Sequence, residues 1–350
     1  MGYDGELVIP PQAGVLRRSA PYLQFVAQLA FAAALLGLLL WRVDVASVRS
    51  ELAGASIWWF PLAFATNILS DYFRAIRWQE FFRPMKPVGV FFLWQVALLG
   101  VALNMALPLR AGEFVRTQVV RKRTGLELAP IVATILSEKL LDIVAFSVFL
   151  VVGIVLFADA RFLWPLAVLY AGVLVGGFLG ARHLAERAQA EPGLRAQPDG
   201  RVRLWVWTQL HAVGTGLAAF RSGRSLAIVS VSSVVAWTFE AGVYFACGKA
   251  LGIDVNPAVY LLVVVAATIA ISLPFTQAGL GVFEVAITGL MVAFGVDKSQ
   301  AAAFAIVAHV MDTMPYFVTG PITAISLRVR PSDVFFLRRR EPEPDSAPVL

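Results

Sequence analysis

Cysteine, histidine and charge are all scarce in this chain. Cys247 is the single cysteine, so no intrachain disulfide and no thiolate metal cluster is expected, and it reads as a small apolar helix residue. His183, His211 and His309 are scattered without the spacing of metal ligands. There is no nucleophile–base arrangement and no Walker motif. The glycines of Ala278-Gly279-Leu280-Gly281 lie inside an apolar stretch with no strand before them, which is not a dinucleotide fingerprint. No catalytic residue, metal or cofactor is therefore expected, the chain is not expected to be an enzyme, and any transport is not driven by an ATPase within it. Charged residues make up only 15% of the sequence.

Apolar length takes their place. Hydrophobic residues account for 59% of the chain and the mean hydropathy is +0.74. Uncharged runs at 23–41, 52–70, 88–109, 143–158, 162–181 and 255–283 are near the ~20 residues that cross a ~30 Å hydrocarbon layer as helix. The runs at 225–252 and 301–327 are interrupted by Glu240 and Asp312. Lipid leaves no partner for unpaired backbone groups, so the expected fold is all-α, a polytopic membrane helix bundle. The run at 23–41 is too long, and begins too late, for a cleaved signal core.

The net charge of +6 is gathered at run ends: Arg17 and Arg18, Arg74 to Lys86, Arg121 to Arg123, 182–203 and 328–340. This is the pattern of cytoplasmic loops facing anionic lipid headgroups, not of nucleic-acid binding. The second helix is expected at about 57–73, returning to a basic loop at 74–86. If 88–109 then crossed, the basic stretch 110–123 would lie outside. The conflict disappears if Pro108 and Gly112 break the helix within the membrane and the chain returns, with the next helix at about 130–158. Pro274, Gly279 and Gly281 do the same for a second pair, 255–275 and 279–295, entering from the opposite side. The expectation is two inverted-topology repeats, each with a broken re-entrant helix hairpin. The halves would cover about 57–181 and 225–327 of a transmembrane domain at 23–328. A basic cytoplasmic loop, 182–224, would join them, with an amphipathic stretch at 203–220. Residues 1–22 form a cytoplasmic segment. Residues 329–350 form a basic, then Pro- and acid-rich cytoplasmic tail, too short for a catalytic module. The protein is expected to be multi-pass in the cytoplasmic (inner) membrane with both termini cytoplasmic.

Charges at membrane depth are the default functional candidates. In the first half these are Arg110, Glu113, Arg116, Glu138, Lys139 and Asp142. Glu113 and Arg116 share a helix face at i, i+3, and Glu138 and Asp142 at i, i+4. Arg110, Arg116 or Lys139 would supply the cations these carboxylates want. The second half offers Glu240, Glu284, His309 and Asp312, with Asp312 recurring at the position of Asp142. The expected cavity is basic and suited to an anionic headgroup such as a phosphate. The same groups also read as structural salt bridges (Arg110, Glu113, Arg116), helix-locking ion pairs (Glu138, Asp142) or satisfied buried polar groups (Glu240, His309, Asp312). Proton coupling through Glu138, Asp142 or Asp312 is a further expectation.

Two stretches repeat one another: Leu107-Pro108-Leu109-Arg110-Ala111-Gly112-Glu113-Phe114 and Leu273-Pro274-Phe275-Thr276-Gln277-Ala278-Gly279-Leu280-Gly281-Val282-Phe283-Glu284. With Asn104 and Arg116, the first resembles a signature of the flippase-like integral membrane family. That family includes the transmembrane region of the lysylphosphatidylglycerol synthases (the MprF type) and the UPF0104 proteins. Glu138-Lys139-Leu140-Leu141-Asp142 resembles its ERxxD segment, with Lys139 in place of Arg. The second stretch resembles its glycine-rich signature, with Ala278 in place of a Gly. Arg74, Arg77 and Trp78 also fit, and the likeness spans about 20–328. The resemblance implies movement of an amphipathic lipid across the membrane: an aminoacylated phosphatidylglycerol, an isoprenoid-linked lipid or a hopanoid. No counterpart of the synthases' aminoacyltransferase domain is expected, so the expected role is a lipid flippase or transporter. The alternatives are a membrane-embedded lipid-modifying enzyme using Glu138 or Asp142 as general base, and a non-transporting partner of a separate lipid-synthesising enzyme.

Overall fold

A computed structural model describes residues 30–39, 41, 44–106, 111–157, 162–173, 175–176, 223–273 and 276–329. Among them there are helices and connections and no strand. In chain order the helices are α1 (Ala30–Leu39), α2 (Val45–Ala53), α3 (Phe60–Phe82), α4 (Val90–Ala106), α5 (Ala111–Thr124), α6 (Leu128–Leu156), α7 (Trp164–Val173), α8 (Gly223–Ala250), α9 (Val259–Ser272), α10 (Val282–Ala293) and α11 (Lys298–Ser326). Most of the expected loop at 182–224, the segment 1–22 and nearly all of the tail lie outside the described residues.

Local chemistry sets the boundaries. Pro61, in the first turn of α3, sits where a missing N–H costs nothing. Asp297 caps α11 by accepting from the amides of Ser299 and Gln300. Pro315 and Pro321 lie within α11. The Thr319 hydroxyl donates back to the Pro315 carbonyl one turn earlier at 2.9 Å.

Long apolar helices run through Pro130–Leu156, Gly223–Ala250 and Lys298–Ser326, each long enough to cross a membrane. Val45–Ala53 and Ile57–Phe82 form a bent pair at 70°. Their outward faces carry exposed apolar side chains such as Val155, Val231, Phe317 and Ile325, as lipid contact requires. The run at 255–283 is broken: α9 ends at Ser272 and Leu273 is extended. Pro108, Arg110 and Pro274 lie outside the described residues; α4 is described as far as Ala106 and α5 from Ala111, and the two pack against each other. The second helix departs from expectation. It does not end near 73 in a basic loop but continues to Phe82, carrying Arg74 and Arg77 into the bundle.

The packing repeats between halves. In the first, α3 packs on α4, α4 on α5, α5 on α6 and α3 on α6; in the second, α8 packs on α9, α9 on α10, α10 on α11 and α8 on α11. The cross-contacts exchange in the same way: α4 meets α11 while α9 meets α6, and α3 pairs with α8 along its length. Hydrogen bonds fix which ends meet. Ser56 N–H donates to the Ala250 carbonyl at 2.7 Å, and the Gln300 side chain to the Leu251 carbonyl at 2.9 Å. The start of α3, the end of α8 and the start of α11 therefore share one end of the bundle. Lys86 Nζ donates to the Thr124 carbonyl at 2.5 Å, so the start of α4 and the end of α5 share the other.

Candidate functional site

Each helix presents a polar spacing that its periodicity places on one face. On α3 these are Asp71, Arg74 and Trp78; on α8, Trp237, Glu240 and Tyr244; on α11, Asp312 and Tyr316; on α6, Glu138, Lys139 and Asp142; on α5, Glu113 and Arg116. Together with Asn104 on α4 and Thr276 and Ala278 beside the second break, they line a cavity of about 290 Å³. It draws on both halves and lies at the junction of both helix breaks.

The cavity is not basic. Its walls carry the carboxylates of Asp71, Glu113, Glu138, Asp142, Glu240 and Asp312 against the cations Arg74, Arg116 and Lys139. The expectation of a basic cavity, which already counted Glu113, Glu138 and Asp142, is not met among the described lining residues, because helix faces, not sequence neighbourhoods, decide which charges meet.

Most of these charges are tied to partners. Arg116 Nη2 donates to Glu138 Oε2 at 2.5 Å, and Arg116 Nη1 lies 3.5 Å from Glu113 Oε2. The guanidinium covers the Trp78 ring, 3.7 Å from its centroid, a cation–π contact that also screens it from apolar surroundings. Arg77 is fully buried at 0% exposure. It donates to Asp142 Oδ1 at 2.8 Å and to Ser233 Oγ at 3.3 Å, and approaches Glu138 Oε1 at 3.6 Å. Arg74 donates to Glu240 Oε2 at 3.0 Å and lies over the Trp237 ring at 4.1 Å. Buried ions need such partners, since desolvation outweighs attraction when one is missing.

The structure thus brings together Glu113, Arg116, Glu138, Asp142 and Asp312 from the expected set. It keeps Glu284 apart. Glu284 accepts from the Gly281 N–H at 2.7 Å and meets His309 Nδ1 at 2.6 Å, while His309 Nε2 meets the Ala278 carbonyl at 3.0 Å. The Phe283 ring stacks on the imidazole at 4.4 Å. Glu284 and His309 hold the second break from behind and do not line the cavity. At that break Ala278, Gly279 and Gly281 have φ of 53°, 81° and 82°, the left-handed region that costs a residue with a Cβ. At the first break, a Cβ on Gly112 would overlap the Gly100 carbonyl and meet Asn104 Oδ1 at 2.7 Å. The α4–α5 contact thus depends on that glycine.

Arg77 is the main residue that the sequence reading missed. Its signal was present at i, i+3 from Arg74 and i, i+6 from Asp71, but it sat where the apolar run had ended.

The family model for the Lysylphosphatidylglycerol synthase TM region matches residues 25–320. The chain belongs to this family. It is a multi-pass membrane protein, and the matched region contains every cavity-lining residue. It is 26% identical over 337 residues to the protein named Glycosyltransferase AglD of Haloferax volcanii, covering 84% of this chain and 53% of that one. It is 25% identical over 260 residues to a UPF0104 membrane protein of Methanothermobacter thermautotrophicus, covering 67% of this chain and 75% of that one. The chain spans about half the length of the AglD relative, 53%.

Proposed function

We propose that the protein is a lipid flippase or transporter of the cytoplasmic membrane, with both termini cytoplasmic, and not an enzyme. The observation that carries this reading is the charged cavity of about 290 Å³ between two interrupted helices. Charge at that depth is expensive unless it serves a polar ligand, and a pocket near 300 Å³ suits a headgroup rather than a whole lipid. α9 has 14 residues, and its rise of about 21 Å falls short of a ~30 Å core. α4 with α5, and α9 with α10, act as hairpins that enter and return, one from each face, as inverted repeats. The exchange of contacts between halves and the ends joined by Lys86 and Gln300 support this reading.

The headgroup is one with both signs of charge. Arg116 and Lys139 suit a phosphate and the carboxylate-rich side an amine, which together favour an aminoacyl-phospholipid over a purely anionic isoprenoid phosphate. The AglD relative favours a second arrangement, in which this part works beside a lipid-tailoring enzyme; that relative is named a glycosyltransferase and it is longer than the match. The exposed cations of α5, Arg121 to Arg123, are suited to anionic lipid headgroups at the cytoplasmic surface.

Translocation of fluorescent aminoacyl-phosphatidylglycerol in proteoliposomes tests this. The wild type exchanges leaflets, and Arg116→Ala slows exchange at least tenfold. Exchange no faster than in protein-free liposomes, or full activity in Arg116→Ala, overturns the reading.

A further inference from the structure

The cavity's charges fall into two groups. On one wall each carboxylate has a guanidinium: Glu138 has Arg116 at 2.5 Å and Asp142 has Arg77 at 2.8 Å. On the other, Asp71, Glu240 and Asp312 have only Arg74 among them, and it is bonded to Glu240 at 3.0 Å. Ser70 donates to that same Glu240 oxygen at 2.8 Å. Asp71, Glu240, Asp312 and Tyr316 line the same cavity. Asp71 Oδ2, in a residue only 4% exposed, has no hydrogen-bond partner.

The surroundings add little compensating charge. Around the cluster, α3 contributes Asp71 and Arg74, α8 contributes Glu240 and Tyr244 with Cys247 a turn away, α11 contributes Asp312 and Tyr316, and α6 contributes Glu138, Asp142 and the cation Lys139. The α6 carboxylates are already matched to other arginines. Among the described residues, no group of three or more His, Cys, Asp or Glu could hold a metal ion. Carboxylates this close in a dehydrated site do not all remain ionised; a positive charge must join them.

We propose that Asp71, Glu240 and Asp312 form a proton-binding site, in which one exchangeable proton is held among the three carboxyls. It deepens the flippase reading by making that proton the coupling ion. α3 belongs to one half of the bundle and α8 and α11 to the other, so the site straddles their boundary. Loss of the proton leaves three carboxylates with one arginine at the boundary between the halves, and their repulsion favours separation of α11 from α3 and α8.

Infrared difference spectroscopy of the full chain in nanodiscs tests the site without reference to transport. The wild type is expected to show a protonated-carboxyl carbonyl band at neutral pH that vanishes on alkalinisation. Asp312→Asn and Glu240→Gln should each remove it, while Glu138→Gln keeps it. No such band in the wild type overturns the proposal whatever the variants do, as does a band unchanged in both Asp312→Asn and Glu240→Gln. A sodium- or ammonium-dependent gain in thermal stability without the band would also overturn it, by assigning the charge to a cation. A parallel proteoliposome assay is expected to show at least a tenfold change in lipid exchange when a pH gradient is imposed. The band without any lipid exchange leaves the proton site standing and the flippase reading refuted. Exchange without the band does the reverse.

Discussion

Arg77 is fully buried and serves Asp142, Glu138 and Ser233 at once. Arg77→Ala is expected to destabilise the protein by about 3–5 kcal/mol, because two carboxylates lose a buried cation; denaturant unfolding in detergent micelles measures it. Arg77→Lys should recover little, since one ammonium cannot reproduce the planar fork. Ala278 offers the opposite case. It holds φ 53° where the family signature has glycine, so Ala278→Gly should raise stability by about 1 kcal/mol, read as a higher midpoint of thermal unfolding. At this scale the sequence disclosed the pairs fixed by helical spacing, Glu113 with Arg116 and Glu138 with Asp142. It did not disclose Arg77, because a cation after an apolar run has the same local signature whether it enters solvent or the core. Nor did it disclose the Glu284 contact with the Gly281 amide: a carboxylate beside a glycine turn serves as a backbone cap as readily as a ligand group.

The elements that matter most are the interrupted ones. α4 and α5 touch where Gly100 and Gly112 face each other. Gly112→Leu should wedge the two helices apart and lower lipid exchange at least tenfold, while the variant still inserts and is purified as a helical protein by circular dichroism. The second break has a different lock, the Glu284–His309 pair with the Gly281 amide. Glu284→Ala is expected to cost about 3 kcal/mol by leaving buried polar groups unpartnered. Glu284→Gln keeps both an acceptor for Gly281 and a donor for His309, and should cost about 1 kcal/mol. Thermal unfolding separates the two. The interruption after Ser272 was legible, since proline and glycine interrupt apolar runs in few other ways. The length of α3 was not. Hydropathy falls at Arg74, yet the helix continues because α6 and α8 supply carboxylates that replace water around its arginines.

At the scale of the molecule, the lone Cys247 is buried, so a Cys247→Ala background gives a clean scaffold for accessibility measurements. Cysteine at Lys298 should react with an impermeant maleimide in intact cells, and cysteine at Lys122 only after permeabilisation. Equal labelling of both from one side would contradict the opposed hairpins. The all-helical membrane character followed from composition. The exchange of contacts between halves did not, because it depends on long-range packing that no local pattern encodes. The burial of Arg74 and Arg77 has a final consequence for biogenesis. Orientation during insertion is set by lysine and arginine flanking the spans, and two of the cations nearest the end of α3 finish inside the fold. The remaining bias at that end rests on Arg83, Lys86 and the Arg121 to Arg123 run that terminates α5. The same short hairpin that walls the cavity therefore also carries much of the address that tells the nascent chain which way to thread.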